Sequence, residues 1–496
     1  MYLLGIDIGT SFIKVSLVET NTQKCIVTVS YPDSENAIIS HRNGWAEQSP
    51  EMWWKQVQEA IVKLHQAAKK ALPTYDSLAI EAIGIAYQMH GLVLVDKNKK
   101  VLRDSIIWCD SRAVSYGEQA FDAIGHQQCL SHLLNAPGNF TAAKLAWVKE
   151  NEPEVFSQIY KVMLPGDYIA MQLSSEITTS IAALSEGIFW DFKNNCISKD
   201  ITQHFGFEAS IFPNIQEVFS HHGALSKTVA STLSLKAGIP ISYKAGDQPN
   251  NALSLNVLEP GEVAATAGTS GVIYGVGDTL SYDLASRVNS FAHINHSATA
   301  HRIGMLLCIN GTGIFNSWIK KYVGANYDYS TMNQMASTVA SGSDGITILP
   351  FGNGAERIFN NKIIGAQILG LDLNKHSAAH LFRAAQEGIA FAFRYGLDIM
   401  RENKLQPTMI KAGKANLFQS PVFTHSFVNA TGVPVSLYNV EGSVGAALGA
   451  GIGAGMYTSS KEAFAGLKPI DIITPKESEK YNVLYENWKN KLAQFI

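Results

Sequence analysis

A chain of 496 residues, 46% hydrophobic and 16% charged, with a formal net charge of −3, is too long for one ordinary core and has the makings of two or three globular domains. Its charge balance, with no basic run interleaved with aromatics, excludes an electrostatic case for nucleic acid. Five scattered cysteines (Cys25, Cys109, Cys129, Cys196, Cys308) without a CxxC pair point to a reducing compartment and away from structural zinc or a disulfide framework.

The chain runs from Met1 straight into an apolar strand, with no basic and apolar leader, so a cytoplasmic protein is expected. "YLLGIDI" (2–8), the turn "GTS" and "FIKVSLVE" (12–19) read as strand, turn and strand, and "KCIVTVSY" (24–31) completes a meander. "SPEMWWKQVQEAIVKLHQAAKKAL" (49–72) reads as a helix: Ser49 can cap it, Pro50 suits its first turn, and Val57, Ile61, Leu64 and Ala68 step by three or four. "EAIGIAYQ" (81–88) is a strand running into "MHG", and "LVLVDKNKKVL" (92–102) a strand and turn. "TAAKLAWVKENEPEVF" (141–156) is a helix that ends near Pro153.

The pattern then restarts. "ISYKAGDQPNNALSL" (241–255) and "GEVAATAGTSGVIYGV" (261–276) again give strand, glycine turn and strand. "RIGMLLCING" (302–311) is a strand and turn, "SAAHLFRAAQEGIAFAFRYGLDIM" (377–400) a long helix, and "MIKAGKANLF" (409–418) a strand and turn. "SPVFTHSFVNATG" (420–432) is a helix capped by Ser420 and Pro421 and stopped by Gly432. "VPVSLY" and the small-residue helix "GSVGAALGAGIGAG" close the chain's pattern, and this last run is too short and glycine-rich to cross a membrane. Two halves that each open on a glycine-turn hairpin suggest a duplication facing a shared cleft, with the boundary between 240 and 260 around Pro240 and Pro260.

Asp7 is the chemical anomaly. A carboxylate among Leu3, Leu4, Ile6 and Ile8 is costly unless paired, hydrogen-bonded or near a metal. Gly-Thr-Ser turns present N–H groups and hydroxyls in a small concavity that suits phosphate oxygens, and glycine lets backbone come close to a ligand. Beside such phosphates Asp7 can hold Mg²⁺, directly or through water. The second hairpin has its own acid, Asp247, arriving from the preceding strand. The plainer alternatives stay open on these residues alone: Asp7 capping its turn, Asp247 capping the helix before "PNNALSL", Lys14 as a solvated strand residue. No GxxxxGK[ST] occurs, and the only GxGxxG-like text lies inside the C-terminal Gly/Ala helix, which is built for close packing. His293 and His296 in "HINHSATAH" would face opposite sides of a strand, so no metal site is expected there; His221 and His222 read as loop surface.

Taken together, "GIDIGTSFIK", "GWAEQSPEMWW", "YQMHGLVLVD", "IIWCDSRA", "NFTAAKLAWVKENEPEVF", "LPGDYI", "AGDQPNNA", "TAGTSG" and "GLDLNKHSAAHLFRAAQEGIAF" resemble, in order and over essentially the whole chain, the FGGY family of carbohydrate kinases, most of all its branch that phosphorylates D-xylulose. The resemblance implies an α/β fold of two actin-like (ribonuclease-H-like) domains around a central cleft. Residues 1–245 would bind mainly the sugar and 246–496 mainly ATP. It implies transfer of the ATP γ-phosphoryl, with Mg²⁺, to the terminal hydroxyl of D-xylulose. Asp247 then stands as general base, an ordinary ionised carboxylate sufficing because the hydroxyl acidifies only as the new bond forms. Asp7 and Asp247 stand as metal ligands, and Met89, His90, Asp110, Asp247 and Gln248 as sugar contacts, with Trp108 and Arg112 beside Asp110. The ATP side implied is Thr10, Ser11 and Lys14 in the first turn, Gly268 and Thr269 in the second, and Gly311, Thr312, Gly413 and Asn416. Gln248 replaces the family's usual Asn, "AGK" its double glycine, and "GNGAERIFN" is a stretched Gly-Glu-Arg motif whose Glu356 and Arg357 read as structural. A homodimer is the family's habit; closure over both ligands is expected because a base so close to ATP would otherwise promote its hydrolysis by water, and no membrane or nucleic-acid partner is expected. The rivals are a kinase of another ketose or a sugar acid, and an actin- or chaperone-like nucleotide switch.

Overall fold

The structure, a computed structural model, describes residues 1–496. Tyr2–Ile8, Ile13–Glu19 and Cys25–Tyr31 form the expected antiparallel meander. Ile80–Tyr87 lies parallel to the first strand on its other side, and Ile241–Gly246 parallel to that. The two inner parallel strands read as unbroken apolar runs because both sheet faces are covered: Leu3, Leu4, Ile6, Ile8, Ile83 and Ile85 are all fully buried.

The second sheet repeats this plan. Glu262–Ala267, Gly271–Gly277 and Ile303–Ile309 make an antiparallel meander; Met409–Gly413 is parallel to the first of them and Val435–Tyr438 parallel to that. Two short strands with no clear signal in the sequence, Asn289–Ala292 and Asp471–Ile473, extend it at either edge to seven strands. The same order of five core strands in both sheets is the two-domain actin-like arrangement, and it accounts for the repeated glycine-turn hairpins.

Helix Pro50–Ala71 starts where Ser49 accepts the Met52 N–H and lays Trp53, Val57, Ile61, Leu64 and Ala68 on the first sheet. Helix Pro421–Thr431 is capped by Ser420 and ends on Gly432 with φ of 70°, the left-handed stop that glycine takes most easily. The helix expected over 141–156 is two pieces, Thr141–Asn151 and Pro153–Ser157, since Pro153 cannot continue the first. Ala378–Glu402, the long helix of the second half, packs on its sheet.

Helix Gly442–Gly453 crosses back from the end of the chain to the first sheet, against the strands at 2–8, 80–87 and 241–246. Its small residues let backbone meet backbone. A Cβ on Gly84 would lie 1.9 Å from the Ala446 carbonyl oxygen, and one on Gly5 1.8 Å from that of Ser443. This close packing is the purpose the sequence suggests for the Gly/Ala run. No helix is long and apolar enough to cross a membrane.

Candidate active site

Register gathers the site. Ile8, Tyr87 and Gly246 stand abreast on three neighbouring parallel strands, so the residues that leave these strands emerge together at one edge of the sheet. That carboxyl edge is where open α/β sheets place ligands. Asp7 lies one residue inside this edge, Gln88, Met89 and His90 come directly after the second strand, and Asp247 and Gln248 open helix Asp247–Ser254 directly after the third.

Both acids are partly buried and neither forms an ion pair within 4.0 Å. Burial raises Asp7 to about 6, with Lys14 pulling it down and Glu441 pushing it up. Burial raises Asp247 to about 7, and the nearby Asp7 charge adds to this against hydrogen bonds from Gln248. Burial thus works against the ordinary ionised carboxylate expected at Asp247, and a cation bound beside it would favour that form again.

Two unneutralised carboxylates close enough to repel invite a cation, and the surroundings fit one. Asn250 donates through Nδ2 to the Gly442 carbonyl, 2.9 Å, while its Oδ1 is buried without a partner. Gly442 leaves space at Asp7, since a Cβ there would come within 2.5 Å of Asp7 Oδ2. No three His, Cys, Asp or Glu side chains surround a common point. A cation would thus rest on Asp7 and Asp247 with phosphate and water completing its shell, the mode Mg²⁺ favours.

Asp247 opens onto a cavity of about 480 Å³ that it lines with Met89, His90, Trp108 and Gln248 from one side and Ser270, Cys308, Asn310 and Arg357 from the other. Arg357, expected to be structural, instead faces this cavity, held only by Asn289 Oδ1 and with no carboxylate partner. Glu356 does behave as structural, buried and accepting the Asn310 and Gly311 N–H groups at 3.0 and 2.8 Å. Asp110 does not reach the cavity. It is fully buried, chelated by the Arg112 guanidinium (2.7–3.0 Å) and bonded by the Ala46 N–H, which leaves nothing for a sugar. Arg112 is spent on Asp110 and Glu47.

A second cavity of about 300 Å³ lies on the far side of the second glycine turn. Ala267, Gly268, Thr269, Gly313, Asn316 and Asn416 line it with others. The turn at 268–270 thus separates and joins the two cavities, Ser270 facing one and Gly268 and Thr269 the other. Gly311 and Thr312 lie behind it: Gly311 is pressed on Pro350, where a Cβ would sit 2.2 Å from the carbonyl oxygen, and Thr312 is fully buried. Gly413 is not in the lining, and Asn316 and Asn333, which are, carry no motif in the sequence.

In the first glycine turn, Thr10 donates to Gln88 Oε1 (3.1 Å) and accepts from the Trp108 indole N–H (2.9 Å), so its hydroxyl ties the turn to the cavity that Trp108 lines. Ser11 is partly open and accepts the Asn36 N–H on its carbonyl. Lys14 is half-exposed and paired with Glu441 at 2.9 Å. His293 has both ring nitrogens engaged, by Tyr274 Oη and the Val257 carbonyl. His222, expected on the surface, is buried between Thr178 and Val218, while His221 is exposed.

Comparison with known proteins identifies the family. Residues 2–254 match the N-terminal domain, and 263–456 the C-terminal domain, of the FGGY family of carbohydrate kinases. The chain is similar to the xylulose kinase of Bacillus subtilis, 28% identical across 99% of this chain and 96% of that one. It is also similar to the xylulose kinase of Escherichia coli, 29% identical across 91% and 88%. Among solved structures it resembles a xylulose kinase from Rhodospirillum rubrum (TM-score 0.88, 25% identity, 100% and 99% covered). It shares its fold with a Plasmodium falciparum glycerol kinase with ADP (TM-score 0.89, 18% identity, 100% and 98% covered).

Proposed function

Because the chain belongs to the FGGY family of carbohydrate kinases, and so is a phosphotransferase, we propose that it transfers the γ-phosphoryl of ATP to the terminal hydroxyl of D-xylulose. The observation that carries the reading is the approach of Asp7 to Asp247 at one sheet edge, where Asp247 opens onto the cavity of Met89, His90 and Gln248. The names of the Bacillus subtilis and Escherichia coli relatives support the sugar.

In this reading Asp247 takes the proton of the attacking hydroxyl as the phosphorus–oxygen bond forms, and removing such a base costs about 10²–10⁴ in rate. His90 and Gln248 hold sugar hydroxyls, Met89 gives an apolar wall and Trp108 closes the side. ATP lies along the 300 Å³ cavity against Gly268, Thr269 and Asn416. Its phosphates reach the first turn at Thr10, Ser11 and Lys14, and Gly311, Thr312 and Gly413 hold the backbone around it. Mg²⁺ bound by Asp7 and Asp247 would neutralise phosphate charge. Residues 1–245 then serve mainly the sugar and 246–496 mainly ATP, with closure of the halves excluding water.

A second reading has one observation in its favour: the Arg357 guanidinium, unpaired with any carboxylate in the cavity, suits a sugar acid. A panel of ketoses, polyols and sugar acids with coupled detection of ADP decides. Preference for D-xylulose supports the proposal; a sugar acid favoured by a wide margin, or ATP hydrolysis indifferent to every sugar, overturns it.

A further inference from the structure

Glu186 ends helix Ile181–Glu186 and has no part in the chemistry above. It is a buried carboxyl directly beneath the sugar-sized cavity, and it touches the cavity wall at two places. Its Oε1 accepts the His90 backbone N–H at 3.2 Å, and its own main-chain carbonyl lies 3.0 Å from His90 Nδ1. Its second oxygen packs against the strand end that carries Asp247: a Cβ on Gly246 would lie 2.7 Å from Glu186 Oε2.

His90 needs holding. Its φ is 62°, a left-handed conformation that a non-glycine residue adopts only when its surroundings impose it. The backbone is pinned at both ends, N–H on Glu186 and C=O by the Lys144 ammonium at 2.8 Å. The ring is wedged between Phe140 and Phe291, centroids 4.8 and 5.5 Å away.

The hydrogen bond to Nδ1 decides the ring's chemistry. A carbonyl oxygen can only accept, so Nδ1 must carry the proton. In the neutral ring Nε2 is then a bare acceptor. Burial and the Lys144 charge keep the ring neutral, holding it down to about 3. Nε2 has no protein partner and is not among the buried orphaned atoms, while the residue lines the cavity. Its lone pair therefore opens to the cavity.

We propose that Glu186 is a positioning residue for substrate recognition: side chain and carbonyl together lock His90 as the Nδ1–H tautomer, so that Nε2 accepts a hydrogen bond from one hydroxyl of the sugar. This rests on the kinase reading of the cavity and adds a selection rule to it. The group facing His90 must be a hydroxyl; a keto or carboxylate oxygen, or a methyl ether, leaves two acceptors opposed.

Two measurements test it, one independent of turnover. In ¹⁵N-histidine-labelled protein without ligands, the His90 signal, assigned by its loss in His90→Asn, is expected to show a pyridine-type Nε2 and a protonated Nδ1 at neutral pH. A protonated Nε2 overturns the proposal. In kinetics, Glu186→Leu is expected to raise the sugar KM about tenfold, the scale of one lost neutral hydrogen bond, and to leave the ATP KM unchanged. Glu186→Gln, which still offers an oxygen to the His90 N–H, is expected to match the parent. An unchanged sugar KM in Glu186→Leu, or an equal loss in Glu186→Gln, overturns it. If Glu186→Leu does not fold, the tautomer and the Gln variant decide. If the parent protein phosphorylates no sugar, the kinase reading falls while the ring's tautomer is still read.

Discussion

Replacing Asp247 by Asn should stabilise the protein in alkaline, metal-free buffer. The folded chain raises this carboxyl from 3.8 to about 7. At about 1.4 kcal/mol for each pH unit, ionising it in the folded state costs about 4 kcal/mol more than in the unfolded chain. Proton counting gives the sign. Below pH about 4 both states hold the proton and the group contributes nothing. Between there and about 7 the folded state binds more protons than the unfolded one, so stability falls as pH rises, and above about 7 the full penalty applies. Asn carries no charge and escapes it, at the loss of the Gln248 bonds to the carboxylate. We expect Asp247→Asn to be about 2–4 kcal/mol more stable than the parent at about pH 8 and level with it near pH 4, by urea unfolding with chelator present. Magnesium should close part of the gap in the alkaline buffer by stabilising the parent alone. A variant no more stable there, or a difference indifferent to pH, refutes the picture of two partly buried acids that lack an ion-pair partner.

Asp247→Ala should abolish phosphoryl transfer, by at least about 10²-fold in kcat, while sugar binding by calorimetry persists; substantial residual turnover would take the base role from Asp247. Gly84→Ala places a methyl 1.9 Å from the Ala446 carbonyl oxygen, pushing helix Gly442–Gly453 off the sheet; a loss of about 3 kcal/mol or more in urea unfolding is expected, at the upper end of overpacking costs. Trp108→Phe removes the indole N–H that Thr10 accepts. It should weaken sugar and nucleotide binding together, and a change confined to the sugar KM would argue against the Thr10 link.

How much the sequence discloses depends on how local each signal is. The meanders, the capped helices at 50 and 421 and the glycine turns announce themselves over a few residues, because alternation, Ser-Pro caps and stop glycines act locally. The repeated "GTS" turns even expose the strand order that the two sheets share. Asp7, Asp247, Met89, His90 and Gln248 can be singled out because an acid, or a polar pair, interrupts or ends an apolar strand. Arg357, Glu186 and Asn250 give no such sign. Each matters through a neighbour brought from far away in the chain: Arg357 across the cavity from His90, Glu186 under it, Asn250 beside Gly442. Asp110 misleads in part although its clamp is local: Arg112, two residues on, reads only as a nearby basic residue, while the Ala46 N–H that completes its bonding comes from far away in the chain. His222 looks like loop surface because nothing local reveals that Thr178 and Val218 close over it.

The return of helix Gly442–Gly453 to the opening sheet has a consequence for how the molecule is made. While the chain is still on the ribosome, the strands at 2–8, 80–87 and 241–246 can pair, but one side of them waits for residues near the carboxyl end. Until those emerge, Gly5 and Gly84 present bare backbone to water. A nascent or prematurely terminated product stopping after residue 254 therefore carries an open apolar flank, the kind of surface that chaperones hold and proteases clear.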